Sequence, residues 1–321
     1  MLHLRVLAPA ELTDDVVAIL ESDDAVSGLA VVRDSALRPE GDLILADLAR
    51  EAANDIVDRL RETGVHRRGT VELQPVETWI SLSGLRAEVR TPGYSADSVV
   101  WADVTQRSYE DTELNWVYLS FMTLATMLAA IAIIVDSQIL VIGAMVLGPE
   151  FGAIAALGVS LVRRRYSLLW RATATLGLGF IAAIATTFVL VLVGRMLGWI
   201  TSESVEGVHP ETAFIYTPDR WSFIVALIAA AAGVLSLTSA KSGALVGVFI
   251  SVTTVPAAGN IALGLAFGAG SVIWGSTLQL VVNLTGMALA GWATLALQKA
   301  VWSRISLRRE KTAARARRRL I

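Results

Sequence analysis

The chain has 321 residues, room for two domains, and is 54% hydrophobic and 17% charged with a mean hydropathy of +0.59; that composition is unusual for a soluble protein. Charge is divided along it: 22 of 29 acidic residues but 11 of 27 basic ones, all Arg, precede Leu114, so the net charge of -2 sums two opposed parts and identifies no partner. With no cysteine, disulfides, thiol catalysis and thiolate metal sites are excluded.

The opening MLHLRVLAPAELTDD has no basic start followed by a long apolar run. That predicts no cleavable leader, and a first domain that stays on the side where it is made. Leu2 to Leu7 alternate as a strand, and Ala10 to Ser22 place Leu12, Val16, Val17, Ile19 and Leu20 on one helical face. Two strands follow, Leu29 to Arg33 and Asp42 to Leu45, around a turn with Pro39 and Gly41. A second helix from about Leu48 to Thr63 and a strand from Gly69 to Val76 complete a βαββαβ order over residues 1–76. The pattern predicts an α+β, ferredoxin-like domain, a four-stranded antiparallel sheet with two helices on one face. Such folds bind effectors, form oligomer contacts or anchor partners, and the fold alone does not choose. His3 and His66 stand isolated in the sequence, and Arg67-Arg68 reads as a solvated turn.

Residues 77–115 form a looser connection with a turn at Pro92-Gly93. Within it Ser95 to Glu113 is amphipathic, with Trp101 and Tyr109. It reads either as a helix at the bilayer surface or as a linker on the first domain.

A hydrocarbon core of about 30 Å needs roughly 20 apolar residues in a helix. Six segments qualify: Trp116 to Val135, Ser137 to Val162, Ser167 to Leu197, Trp221 to Ser239, Ser242 to Phe267 and Ser271 to Trp302. Residues 116–302 are thus expected to be a polytopic α-helical membrane domain, followed by a basic tail at 303–321. Arg163-Arg164-Arg165, Lys241 and the tail fall on one side, whereas Gly198 to Asp219 carries acids and no Lys or Arg. Positive residues favour the cytoplasm, which predicts a multi-pass protein of the inner membrane with both termini cytoplasmic.

Two spans repeat each other. Ser137-Leu140-Val141 is matched by Ser242-Leu245-Val246, and Pro149-Gly152-Ile154-Ala155 by Pro256-Gly259-Ile261-Ala262. Each copy is flanked by one span on either side, so the unit is three helices. An odd number inserts successive copies in opposite directions, predicting inverted repeats over 116–197 and 221–302. Proline deletes a backbone donor near the middle of each repeated span. Both spans are therefore read as broken helices whose second halves begin at the proline and offer free N–H groups to a ligand. A kinked helix that packs without any ligand is the alternative.

The candidate site drawn from this is Gly148, Pro149, Glu150, Gly152, Thr253, Thr254, Pro256, Gly259, Asn260 and Asn283. Glu150 is its charged member, and an intramembrane carboxylate is costly enough to suggest a function. Gln279 and Asn283, four apart on one helical face, read equally as interhelical hydrogen bonds or as part of a pathway. Asp136 and Lys241, each just before a repeated serine, read as interfacial caps.

Gly143 to Leu157 (GAMVLGPEFGAIAAL) and Ser251 to Gly264 (SVTTVPAAGNIALG) resemble the domain of unknown function 389 family, bacterial and archaeal hydrophobic membrane proteins without an assigned activity. The resemblance covers all six spans and implies a membrane fold, many members carrying a small N-terminal domain as well. Where many members have proline after the glycine of the first motif, this chain has Ala153.

The reading that follows is a transporter or channel-like permease for a small solute or ion, embedded in the lipid bilayer as a homo-oligomer. The first domain would regulate or oligomerise it. No nucleic acid, cofactor or catalytic residue is expected, since no paired His and no G-x-S-x-G or H-E-x-x-H motif occurs. A scaffold or sensor whose first domain binds a partner is the alternative.

Overall fold

The computed structural model describes residues 1–93, 95, 98–202, 211–212, 220–239 and 253–320; for 222 and 303–320 it describes the backbone alone. Lys241, the first motif of the second repeat at Ser242, Leu245 and Val246, most of the acidic loop before Asp219 and the side chains of the basic tail lie outside the described residues. The chain divides into two compact units, Met1–Val104 with Thr238–Ala240 and Gln298–Ile321, and Thr105–Leu237 with Lys241–Leu297.

In the first unit the elements are β1 (Leu2–Ala8), α1 (Ala10–Glu21), β2 (Val26–Leu37), β3 (Glu40–Leu48), α2 (Ala53–Glu62), α3 (Val65–Arg68) and β4 (Thr70–Pro75). They form one four-stranded sheet in the order β2-β3-β1-β4, every neighbour antiparallel. Strand alternation decides the faces. Leu2, Leu4, Val6 and Ala8 of β1 and Ile44, Ala46 and Leu48 of β3 are buried with Val16 and Leu20 of α1 and Ile56 and Leu60 of α2. Gly41 turns the β2–β3 hairpin at φ 151°, and a Cβ there would strike the backbone of Ala8. No side chain fits that turn.

Four expectations change here. The hairpin strands are longer than the periodicity suggested, because only their middles alternate cleanly. Arg67 and Arg68 close the short helix α3, and Arg68 pairs with Glu11. His3 is not isolated: its Nδ1 lies 2.8 Å from Asp47 Oδ1 across the sheet. The loose stretch contains α4 (Leu82–Arg90), capped by Ser81 Oγ accepting from Gly84 N at 3.0 Å. Beyond it Asn54 ties residues 99–101 to α2, donating to Val99 O at 2.6 Å and accepting from Trp101 N at 3.0 Å.

The helix α5 (Trp101–Glu110) leads into the apolar part: α6 (Trp116–Ile134), α7 (Gln138–Leu147), α8 (Glu150–Arg163), α9 (Tyr166–Met196), α10 (Arg220–Thr238), α11 (Thr254–Phe267) and α12 (Gly270–Leu320). Among the described residues, α6, α9 and Gly270–Trp302 of α12 are each long and apolar enough to cross a membrane. The bent pair α7–α8 makes a fourth such span. Phe223–Thr238 and Thr254–Phe267 are shorter apolar helices. With 31 residues, α9 is about 46 Å long at 1.5 Å per residue, more than a hydrocarbon core requires. Its excess length carries exposed Tyr166 and Trp170 at one end, with Trp199 just past the other, as interfacial aromatics do.

Exposure in the second unit runs opposite to that of a soluble protein. Val117, Phe121, Leu124 and Ile131 of α6 and Leu178, Ile181, Val189 and Val193 of α9 face outward, while Glu150, Thr254, Gln279 and Asn283 are buried. Apolar outside and polar inside is the distribution that lipid as solvent selects. The chain is a multi-pass membrane protein by this measure, with α11 set against α6, α7 and α9.

Candidate functional site

The break between α7 and α8 follows from two residues. Proline disfavours a helical conformation at the residue before it, and Gly148 accordingly leaves the helix at φ -65°, ψ 125°. The chain bends by 53° and resumes as α8 at Glu150. This span is interrupted where the sequence placed the interruption. Proline's part is different from that expected: Pro149 is the cap before α8, while Pro256 is the third residue of α11, which starts at Thr254. The third position tolerates proline because its N–H would have no intrahelical acceptor anyway. The half of the second repeated span that precedes Thr253 lies outside the described residues.

Glu150 occupies the first position of α8, at the positive end of the helix dipole, a placement worth about 0.3–1 kcal/mol to an anion. Its side chain turns back over Gly148. A Cβ on Gly148 would strike Glu150 Oε2 and lie 2.8 Å from Val255 Cγ2. Thr254, first residue of α11, donates from Oγ1 to Glu150 Oε1 at 2.6 Å. The starts of two helices 104 residues apart are thus joined by one buried hydrogen bond. Glu150 Oε2 has no partner among the described residues.

Next to this pair Thr253 Oγ1 accepts from two amides of α12, Gln279 Nε2 at 3.2 Å and Asn283 Nδ2 at 2.9 Å. Asn283 Oδ1 is buried, without a partner among the described residues. The site therefore gathers Gly148, Pro149, Glu150, Thr253, Thr254 and Asn283 around the first turns of α8 and α11. Pro256 lies two residues past Thr254 in the same first turn and is buried.

Three expected members do other work. Gly152 lets Asp111 approach α8, since a Cβ there would lie 2.7 Å from Asp111 Cγ. Gly259 lets α11 approach α6; its Cβ would meet Ala130 N at 2.9 Å and Thr126 O at 3.0 Å. Asn260 donates to Ser276 Oγ at 2.9 Å, fixing α11 to α12 away from Glu150. Asp136 caps no helix: its carboxylate accepts from Thr212 N at 3.1 Å and Thr212 Oγ1 at 2.8 Å, while Ser137 holds the N-cap position of α7.

One residue enters that the sequence did not place in the site. Gln279 completes the bonds on Thr253, and its spacing from Asn283 was the available signal. Tyr118 of α6 is buried, its hydroxyl without a partner among the described residues and its ring against Gly179.

No solved structure matches this chain. An uncharacterised protein of Methanocaldococcus jannaschii is 29% identical over 171 residues, 53% of this chain and 50% of that protein. The chain thus spans about half the length of the curated relative it matches. Residues 145–289 match the model of the family described as domain of unknown function (DUF389), so the resemblance carried by the Gly143 to Leu157 and Ser251 to Gly264 motifs stands. That segment holds Glu150, Thr253, Thr254, Gln279 and Asn283, so the part of the chain that holds these residues is the part similar to the domain of unknown function 389.

Proposed function

We propose that this protein is a membrane transporter or channel-like permease for a small solute or ion, with its binding place where the starts of α8 and α11 meet. One observation carries the reading: a buried carboxylate stands at the break of a spanning helix, bonded to the start of a second helix and with one oxygen unsatisfied. Freed backbone and buried polar groups at membrane depth are tolerated where they line a pathway or pair with protein. A helix interruption that brings them together is the arrangement secondary transporters use.

In this reading the membrane domain has six spans in two inverted three-helix repeats over 116–197 and 221–302. It lies in the inner membrane with both termini cytoplasmic, and the protein works as a homo-oligomer. The first unit is a ferredoxin-like regulatory or oligomerising domain, and no catalysis is involved. The break at Gly148-Pro149 and the start of α11 at Thr254, two residues before the repeated Pro256, support the repeat.

The test is uptake by liposomes holding the purified full chain, screened over ions and small metabolites, comparing the wild type with Glu150→Gln. Flux above empty liposomes, reduced in the variant, is the expected result. No flux across a broad panel would overturn the transport reading in favour of a scaffold or sensor.

A further inference from the structure

The site as described could suit either sign of charge. Two helix N-termini favour an anion, whereas a carboxylate favours a cation. Occupancy decides between them. The place at the start of α8 that an anionic ligand would use is filled by the chain's own Glu150 side chain, folded over Gly148 and bonded to Thr254. A second negative charge brought there would meet a like charge a few ångströms away in a medium of low dielectric, where Coulomb repulsion is several-fold stronger than in water.

Glu150 also lacks a counter-charge. Among the described residues no Lys, Arg or His pairs with it, and Thr254 is the one other side chain that donates to it. Two arginines of α9 are committed elsewhere. Arg195 donates to Ala266 O and stacks on Phe267, and Arg171 lies over the Tyr109 ring. A buried, unpaired carboxylate costs several kcal/mol or more, so such groups are neutralised by a proton or by a cation beside them.

Glu150 is more than nine-tenths buried, its Oε2 is unused among the described residues, and Thr254 Oγ1 stands beside its other oxygen. A threonine hydroxyl and one carboxylate supply oxygen donors with a single negative charge. That set matches one positive charge; a divalent ion asks for more carboxylates.

We propose that Glu150, with the hydroxyl of Thr254 as neutral partner, binds a monovalent cation, a proton or an alkali ion, and that the permeating or coupled species is cationic. The second half rests on the transport reading; the binding does not.

The test uses the purified full chain in detergent, its thermal midpoint measured in sodium, potassium or lithium chloride against choline chloride at equal ionic strength. The carboxylic-acid band is followed by infrared spectroscopy across a pH series. For an alkali ion, the midpoint rises with one of the three salts and not with choline, as binding to the folded state requires. The rise is lost in Glu150→Gln. For a proton, the midpoint ignores the salts, and a protonated carboxyl band present at neutral pH disappears in Glu150→Gln.

Thr254→Val is the second variant: it keeps the carboxylate and removes its neutral partner. It should weaken the salt response, or move the pH at which the band appears. An ionised Glu150 with no alkali response would overturn the proposal, as would stabilisation by sulfate or phosphate that depends on Glu150. Anion flux in liposomes with no cation dependence would sink the proposal and leave the transport reading standing. Cation binding without flux would do the reverse.

Discussion

Gly148→Ala isolates the contact on which the site depends. Its backbone, at φ -65° and ψ 125°, suits any L residue, so the added methyl brings no dihedral strain. Reduced freedom of the unfolded chain would by itself stabilise the variant by about 0.4–1 kcal/mol. Against this, the new Cβ would lie 2.8 Å from Val255 Cγ2 and 3.1 Å from Glu150 Cδ, and would strike Oε2. Val255 is fully buried and β-branched, so it has little rotamer freedom with which to yield. The carboxylate must move, and its bond from Thr254 is lost.

Overpacking costs about 1–3 kcal/mol, and a hydrogen bond to a charged group is worth about 1.5–3 kcal/mol. The expected net loss is roughly 1.5–5.5 kcal/mol, with reduced liposome flux. The assay is unfolding of the full chain in mixed detergent, run as a cycle with Thr254→Val. If the methyl acts by displacing the carboxylate, the double variant should lose clearly less than the two singles together, since both remove one bond. A Gly148→Ala protein with wild-type stability and flux, or full additivity in the cycle, would refute the reasoning.

Gly259→Ala should cost about 1–3 kcal/mol in the same assay, because the atoms its Cβ meets are backbone N and O of α6 and cannot rotate away; unchanged stability would mean the helices can separate freely. In the first unit, the backbone N–H of Asp34 and the hydroxyl of Thr13 hold the Asp42 carboxyl below the usual carboxylate range. Its stabilisation should be present above about pH 4 and lost as pH falls through the lowered folded value. Hydrogen exchange of the β2–β3 amides against pH should show this, and Asp42→Asn should flatten the profile. Asp111 should behave oppositely, since burial, and then Glu110, raise its carboxyl above the usual range. Its contribution is fullest below the ordinary range and fades as pH rises through the raised value; Asp111→Asn should remove that portion of the pH dependence of unfolding.

The parts of this protein legible in its sequence are those whose physics is local. Strand alternation in Leu2 to Leu7 and helical spacing in Ala10 to Ser22 are properties of a few neighbouring residues. The long apolar runs are as local, and so is the Gly148-Pro149 interruption. The structure keeps the strand, the helix and the interruption, and among the described residues up to four of the apolar runs as spans. Proline's placement in α11 was missed because the helix begins with Thr254, capped by Thr253. The run SVTT gives no sign of which threonine starts the helix. The helix α4 was missed because Gly84 and Ala87 are its buried residues, a stripe too small to register as an apolar face.

The site itself was half legible for the same reason. Glu150 declared itself by being charged within an apolar run, whereas its partners became known only when α11 and α12 were set beside α8. Neither Tyr118 nor Thr254 differs locally from residues that merely fill a membrane helix, and Thr126 and Thr173 do bond only to their own helices, at Met122 O and Leu169 O. What distinguishes Thr254 is that its hydroxyl leaves its own helix to reach a carboxylate. Tyr118 differs in that its hydroxyl reaches nothing. A helix interior would satisfy both at no cost by substituting valine and phenylalanine, which lipid-facing packing would favour. Keeping an unused carboxylate oxygen in such surroundings opposes stability, and under the proposal above a cation beside Glu150 is the interaction that offsets it.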